Sequence, residues 1–371
     1  MLCYIAALNG GQPIEWSIGR TRDKTEKTRD EIRKNVSSQY NKGQKQLDNF
    51  INDIVSAENE GAEYIMPLLV YYGTDRAVFK TPMRRRSFKT NFKRFDSLSG
   101  ALNPSANFKQ AFEWFHEKEN EEAREQKKRL SFEYVDAELE TVRRAIRKIL
   151  PEFTNPRTEL RPLRFLVDHN LPEGERTLDL NQLSDGYRTT LALVLDLARR
   201  MAESNPPTIK YPDPLDSEAI VLIDEIDLHL HPSWQQRIVR DLQDTFRNSQ
   251  FIVTTHSPQV ITTMRKENIR ILACDEDGHC TASEPSISPL AHEAGDALAL
   301  IMDTHPRPEI SDIMPDLYAY EHLARAGRAG SEEACQIKAR LDATGYEFNE
   351  ADQALFKFLA AKAEKSKAET P

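Results

Sequence analysis

Two short apolar runs constrain this chain more than any other feature. Residues 219–223 read Ala-Ile-Val-Leu-Ile, and residues 251–253 read Phe-Ile-Val, with no polar residue in either. The first stops at Asp224-Glu225 and the second at Thr254-Thr255-His256-Ser257-Pro258. Short runs without polar alternation suit strands buried on both faces, as in a parallel sheet. A helix-compatible stretch, 232–248, lies between them and supplies the crossover that a parallel pair needs. A compact apolar strand at 64–72, a helix around 258–264 and a strand at 269–274 extend the pattern. The fold class is α/β.

In open parallel sheets, ligands sit beyond the C-terminal ends of the strands. Asp224, Glu225 and His256 are all delivered to that edge. An aspartate there can hold Mg²⁺ through water, because Mg²⁺ keeps most of its aqua ligands. A neighbouring glutamate can orient or deprotonate a water for in-line attack on a phosphoryl group. His256 is placed to reach a terminal phosphate. Upstream, Leu183-Ser184-Asp185-Gly186-Tyr187 opens a helix over 185–204. Ser184 is a natural N-cap, Gly186 lets an anion approach the backbone, and the helix dipole favours negative charge there. Each segment alone has a plainer reading: an acidic strand end in solvent, a capped helix, a structural histidine. Asp227, His229 and His231 lie on alternate residues and admit a metal-site reading as well.

The rest of the chain frames this centre. Residues 1–20 read as a β-hairpin turning at Asn9-Gly10-Gly11, and 21–60 are polar and helix-tolerant. From 107 to 150 the pattern is helical and heavily charged, with Phe108, Phe112 and Phe115 at core spacing. Pro151 and Pro156 interrupt it, two short strands follow at 164–167 and 176–180, and the region from 290 is helical with a turn near Gly345. Charge bounds the partners: a net charge of −9 argues against binding nucleic acid by charge alone. The run Arg84, Arg85, Arg86, Lys89, Lys93, Arg94 is the local exception, either a solvated face or a phosphate contact. No apolar run approaches the ~20 residues of a membrane span. The opening residues lack the features of a secretory signal. The four cysteines are scattered, and although Cys274 and Cys280 could meet across a hairpin, a reduced cytoplasmic protein is the expectation.

A capped Ser-x-Gly helix, an apolar strand ending Asp-Glu, and an apolar strand ending Thr-His-Ser-Pro resemble, in that order, the signature, Walker B and switch-histidine series of ABC ATPases. The resemblance is closest to the RecF, OLD and chromosome-maintenance branch and to bacterial ATP-binding proteins once grouped as involved in virulence. It extends to Leu-Ser-Asp-Gly-Tyr-Arg (183–188), Asp-Glu-Ile-Asp-Leu-His-Leu-His-Pro (224–232), Tyr-Tyr-Gly-Thr-Asp-Arg (71–76), Glu-Trp-Phe (113–115) and the helical tail. It implies a P-loop NTPase of the ABC-head type with an inserted helical lobe and a C-terminal helical tail. The cofactors implied are ATP and Mg²⁺.

By that resemblance Asp224 is the metal-associated aspartate, Glu225 the catalytic glutamate and His256 the switch histidine. Ser184, Asp185 and Gly186 meet the γ-phosphate of ATP held by an opposing protomer. Asp227 opens the D-loop, which gives His229 and His231 a dimer-contact role, and 68–75 takes the place of the Q-loop strand, without its Gln.

The resemblance implies head-to-head dimerisation, as homodimer or heterodimer. It also implies a separate effector chain such as a nuclease, with DNA reached through the assembly in repair or phage defence, and no membrane. The expected divisions are 1–20, a β-hairpin of the β-subdomain; 21–83, a linker helix and Q-loop-like strand; 84–205, the helical lobe ending in the signature helix; 206–285, the RecA-like core; and 286–371, the tail.

A P-loop needs Gly-x-x-x-x-Gly-Lys-Ser/Thr after a strand. No such string occurs here, since neither Asn9-Gly10-Gly11 nor Ser99-Gly100 is followed by Lys-Ser/Thr. The expectation is a head whose P-loop segment lies upstream of Met1 or on another chain. The alternative is a nucleotide-free interaction module.

Overall fold

The structure is a computed structural model. It describes residues 2–9, 12–19, 44–77, 89–104, 108–172, 174–207, 212–275, 280–304 and 312–368. The chain divides into two compact units, Met1–Val260 and Ile261–Pro371.

The first unit opens with strands β1 (Leu2–Asn9) and β2 (Gln12–Gly19), which pair antiparallel with Asn9 opposite Gln12. Helix α1 (Gln44–Glu60) leads to β3 (Leu68–Tyr72). This strand pairs in parallel with β7 (Ala219–Ile223), which pairs in parallel with β8 (Ser249–Val253). The register places Tyr72, Ile223 and Val253 side by side, so all three strands end at one edge. Val70, Tyr72, Val221 and Ile223 are buried. The apolar run at 219–223 is therefore the middle strand of a three-stranded sheet.

Two helices, α2 (Phe108–Arg129) and α3 (Ala137–Ile149), precede a second, antiparallel sheet. Phe108, Phe112 and Phe115 are buried, and each ring packs against Phe165 at 5.3 to 6.4 Å. Phe165 belongs to β5 (Leu163–Leu171), the middle strand between β4 (Phe153–Leu160) and β6 (Gly174–Asp179). Strand β4 runs through Pro156, where the pairing slips between Thr154 and Arg157, an edge strand being where a proline is tolerated. Helix α4 (Asp185–Ser204) follows, with nearly its whole length buried.

The expected single helix over 232–248 is two: α5 (Pro232–Gln235) and α6 (Ile238–Thr245), joined through Gln236 and Arg237. Beyond β8 lies one short helical turn, α7 (Pro258–Ile261).

In the second unit the strand expected at 269–274 does not join the parallel sheet. It is β9 (Ile271–Cys274), paired antiparallel with β10 (Cys280–Ser283) as a separate hairpin. Its residues are mostly exposed, Leu272 at 70%, so apolar content here marks no buried strand. The register sets Cys274 opposite Cys280, and the two form a disulfide, which corrects the expectation of reduced cysteines. Cys335 is an exposed free thiol. Helix α8 (Ala294–Leu300) contributes Ala297 to a small cluster with Ile261 and Ile301. Helices α9 (Met314–Arg325), α10 (Glu332–Ala343) and α11 (Glu350–Ala368) bury Leu317, Tyr320, Leu341, Phe348 and Phe356 together. Gly345, with φ +80, makes the turn after α10. Among the described residues no helix is long and apolar enough to cross a membrane.

Candidate functional site

The three parallel strands end where Asp224, Glu225 and the 254–257 segment begin, and hydrogen bonds fix each of them. The Asp224 amide donates to the Tyr72 carbonyl at 2.8 Å, continuing the ladder one residue past the strand. Thr254 acts as a bridge. Its hydroxyl donates to the Asp224 carboxylate and accepts from the Glu225 amide, the latter at 2.8 Å. Thr255 donates to Asp227 Oδ1 at 2.5 Å. One carboxylate oxygen on each of Asp224 and Asp227 is thus oriented by the neighbouring strand end.

Glu225 adopts φ +46, a left-handed conformation that a non-glycine residue takes only when its surroundings enforce it. Arg76 enforces it. This buried side chain donates to the carbonyls of Gly73 at 3.0 Å and Glu225 at 2.5 Å, and to that of Asp224. Burial pushes the guanidinium pKa down, and the carboxylates of Asp224, Glu225 and Asp227 oppose that shift. Arginine stays charged regardless, so the site holds a fixed cation behind its acidic residues. Sequence reading assigned Arg76 no role, although it closes the Tyr-Tyr-Gly-Thr-Asp-Arg string that carried part of the resemblance.

Ser184 occupies the N-cap position of α4 but makes no side-chain cap hydrogen bond. Ser184 and Asp185 are exposed, and Arg188 pairs with Asp185. Gly186 is buried, and the reason is steric: a Cβ there would lie 2.6 Å from the His229 carbonyl oxygen. The start of α4 and the loop after Glu225 therefore touch within one chain. Tyr187 strengthens the junction, with its ring edge-on to Trp234 at 4.3 Å and to Phe153 at 4.9 Å.

The 227–231 loop is tied to the histidine segment as well. Gln235 donates to the Leu230 carbonyl at 2.9 Å and accepts from the Ser257 hydroxyl at 2.7 Å. Ser257 in turn accepts from the amides of Gln259 and Val260, so it caps α7. His256 itself is exposed beside these anchored residues. Gln235 had no signal in the sequence, because a glutamine in a polar helix start looks like any solvated residue.

A buried ionic cluster supports the site from within α4. Asp196 pairs with Arg199 at 2.8 Å and Arg200 at 2.7 Å, and the Tyr72 hydroxyl donates to it at 3.0 Å. Burial alone would raise the Asp196 pKa, but Arg200 and Arg199 outweigh it and hold the group at about 2. Tyr72 therefore joins α4 through its hydroxyl and Asp224 through its carbonyl.

The alternative metal reading fails. Among the described residues no group of three or more His, Cys, Asp or Glu side chains is placed to hold a metal. His231 Nδ1 is instead used at the start of α5, accepting from the Ser233 amide at 3.3 Å. An Mg²⁺ ion that kept most of its waters would need only one carboxylate, and Asp224 at the strand end would be the residue to offer it. From the basic run, Lys89 pairs with Asp96, and Arg94 is spent on the carbonyls of Ser204 and Tyr64. Arg84, Arg85 and Arg86 lie outside the described residues.

Residues 4–262 match the protein family described as "AAA domain, putative AbiEii toxin, Type IV TA system". The chain belongs to this family. Its fold is accordingly of the α/β P-loop NTPase class. Among curated proteins, the Retron Ec83 probable ATPase of Escherichia coli is 39% identical over 203 residues, covering 55% of this chain and 35% of that protein. The Retron Vc95 probable ATPase of Vibrio cholerae is 40% identical over 174 residues, covering 46% of this chain and 33% of that protein. A Septu protein PtuA of Bacillus mycoides is 40% identical over 98 residues, 26% of this chain and 13% of that protein. The chain thus spans about a third of the length of the two retron relatives. A solved SMC head domain from Thermotoga maritima overlays with a TM-score of 0.29 at 21% identity, over 44% of this chain and 52% of that one.

Proposed function

We propose that this chain is the part of an ABC-type ATPase head that holds the Walker B strand, the signature helix and the switch histidine. The observation that carries the reading is the joint placement of Asp224 and Glu225 at the common edge of three parallel strands, with Thr254 and Arg76 fixing both. In this reading Asp224 would hold Mg²⁺, and the metal would supply charge neutralisation at the phosphates of ATP. Glu225 accepts a proton from, or orients, the attacking water. Its carbonyl and amide are both engaged, so its backbone is immobilised before any substrate arrives. His256 and Asp227 face the same edge, and Ser184, Asp185 and Gly186 present the helix start to a nucleotide held by an opposing head. ATP joins two heads, and turnover is coupled to an effector chain.

Because similar proteins include retron and Septu proteins, the role we infer is in phage defence, with a nuclease or DNA reached through the assembly rather than through this acidic chain.

The test uses the assembly purified from its native locus through a tag on this chain. ATP hydrolysis is compared between wild type and Glu225→Gln. A loss of roughly 10²-fold with ATP binding retained supports the reading. A wild-type assembly that binds no ATP favours the interaction module instead. An unchanged rate in Glu225→Gln removes Glu225 from the chemistry.

A further inference from the structure

His256 is exposed at the strand edge, yet both of its chain neighbours are tethered to the loop that follows Glu225. On one side Thr255 donates to Asp227 Oδ1 at 2.5 Å. On the other, the buried Ser257 donates its hydroxyl to Gln235 Oε1 at 2.7 Å. The opposite end of the same amide, Nε2, donates to the Leu230 carbonyl at 2.9 Å. This orientation is fixed by chemistry, because a carbonyl can only accept and must face the NH₂ end. Gln235 therefore joins two backbone segments with the two halves of one planar group.

The loop is pressed from its other side as well. His229 lies at φ +63, a left-handed conformation that is costly for a residue with a Cβ. Its carbonyl oxygen comes so close to Gly186 that a Cβ there would sit 2.6 Å away. Gly186 lies in the first turn of α4, beside the exposed Ser184. Contacts thus run from the start of α4 through His229, Leu230 and Gln235 to Ser257, the residue next to His256. Ser257 also accepts from the amides of Gln259 and Val260 at 3.1 and 3.3 Å, so its displacement would disturb a helix start and not one side chain alone.

We propose that Gln235 is a positioning residue for His256, making the histidine follow the 184–186 helix start through the 227–231 loop. The proposal rests on the ABC-type reading above, in which 184–186 meets the nucleotide of an opposing head and His256 meets that of its own. The contacts then couple the two nucleotide sites within one protomer: docking of the opposing head at the helix start sets the histidine for turnover. A residue that merely pinned the loop would need only its bond to Leu230. The bond to Ser257 is what makes it a link.

The test has two arms. In the first, amide hydrogen exchange is read segment by segment in the full chain and in Ser257→Ala, Gln235→Met and the double variant. Methionine keeps the length of the side chain and removes both bonds. Ser257→Ala disturbs the histidine side alone, so its effect on 228–231 measures the link. The expected result is exchange at 228–231 faster by about threefold or more in Ser257→Ala, with the double variant no faster than Gln235→Met. Gln235→Glu keeps the acceptor for Ser257 and loses the donor for Leu230, so 257–260 should stay as in wild type while 228–231 speeds up. Unchanged exchange at 228–231 in Ser257→Ala, or effects that add in the double variant, overturns the proposal. Should Gln235→Met not fold, Ser257→Ala and Gln235→Glu decide.

The second arm measures ATP hydrolysis by the assembly from the native locus. Gln235→Met should lower kcat by about tenfold or more and leave KM within about twofold, since the histidine is set for turnover rather than for binding. An unchanged kcat beside an inactive Glu225→Gln overturns the proposal. If Glu225→Gln is itself without effect, the ATPase reading falls, and the exchange arm alone decides whether Gln235 links the two segments.

Discussion

Arg76 holds the carbonyl of Glu225 at 2.5 Å, and the residue it holds sits at φ +46. The same guanidinium also reaches Gly73 and Asp224, so one buried cation joins the end of β3 to the turn that follows β7. The strain of the turn and the burial of the arginine are two halves of one device. A left-handed non-glycine residue costs on the order of 1–3 kcal/mol, and charge-assisted hydrogen bonds to its carbonyls are what make it persist.

Replacing Arg76 by Ala should accordingly destabilise the first unit by about 1–3 kcal/mol, since it takes the side-chain donor from the Asp224 carbonyl and leaves the Gly73 and Glu225 carbonyls with only the amides of residue 76 and Leu228. Lysine should rescue only part of this, because one ammonium cannot reproduce the planar fork. Urea denaturation of the two variants measures it. Equal stability of wild type and Arg76→Ala would show that the turn holds itself.

Gly186→Ala tests the junction between α4 and the 225–231 loop. The added methyl would sit 2.6 Å from the His229 carbonyl, and backbone must move to admit it. Overpacking of this kind typically costs about 1–3 kcal/mol. A melting temperature equal to wild type would mean that the two segments separate freely.

How much of this was legible in advance differs by element, for physical reasons. The strand at 219–223 and the helix at 185–204 were readable because an uninterrupted apolar run and a long amphipathic period are strong local signals. Placing Asp224, Glu225 and the 254–257 segment at one edge followed from strand polarity alone. The break at Gln236 and Arg237 was not readable, because no glycine or proline marks it. Strand β4 was hidden by Pro156, which reads as a breaker unless the strand is known to lie at an edge. Arg76 and Gln235 were hidden for a different reason. Their roles depend on which backbone carbonyls come near, and those lie 149 and five residues away in the chain.

The pH dependence of stability should carry a signature of Glu119. Burial raises this carboxyl from 4.5 to about 7, against the hydrogen bonds it accepts from Thr158. Between those values the folded state keeps the proton while the unfolded chain has lost it, so rising pH favours unfolding. The contribution is fully present below about 4.5 and lost as pH passes 7, a change on the order of 3 kcal/mol for this group. Glu119→Gln should flatten that part of the profile in denaturation measured from pH 4.5 to 7.5. A profile of unchanged slope in the variant would mean that another group sets it.

Ser184 offers the sharpest division between a structural and a functional role. As a helix cap its loss would cost about 1 kcal/mol, yet its side chain makes no cap hydrogen bond and is exposed. Ser184→Ala should therefore leave the melting temperature near wild type, within about 0.5 kcal/mol in stability. If the helix start meets a phosphate held by an opposing head, Ser184→Arg should block ATP-dependent dimerisation while the head stays folded, because a long side chain fills the space that the phosphate needs. The cation could recover some attraction, so steric obstruction must outweigh it for the effect to appear. Both variants are introduced into the assembly from its native locus, and mass is measured with and without ATP. Normal ATP-dependent association in Ser184→Arg would separate this helix start from the nucleotide.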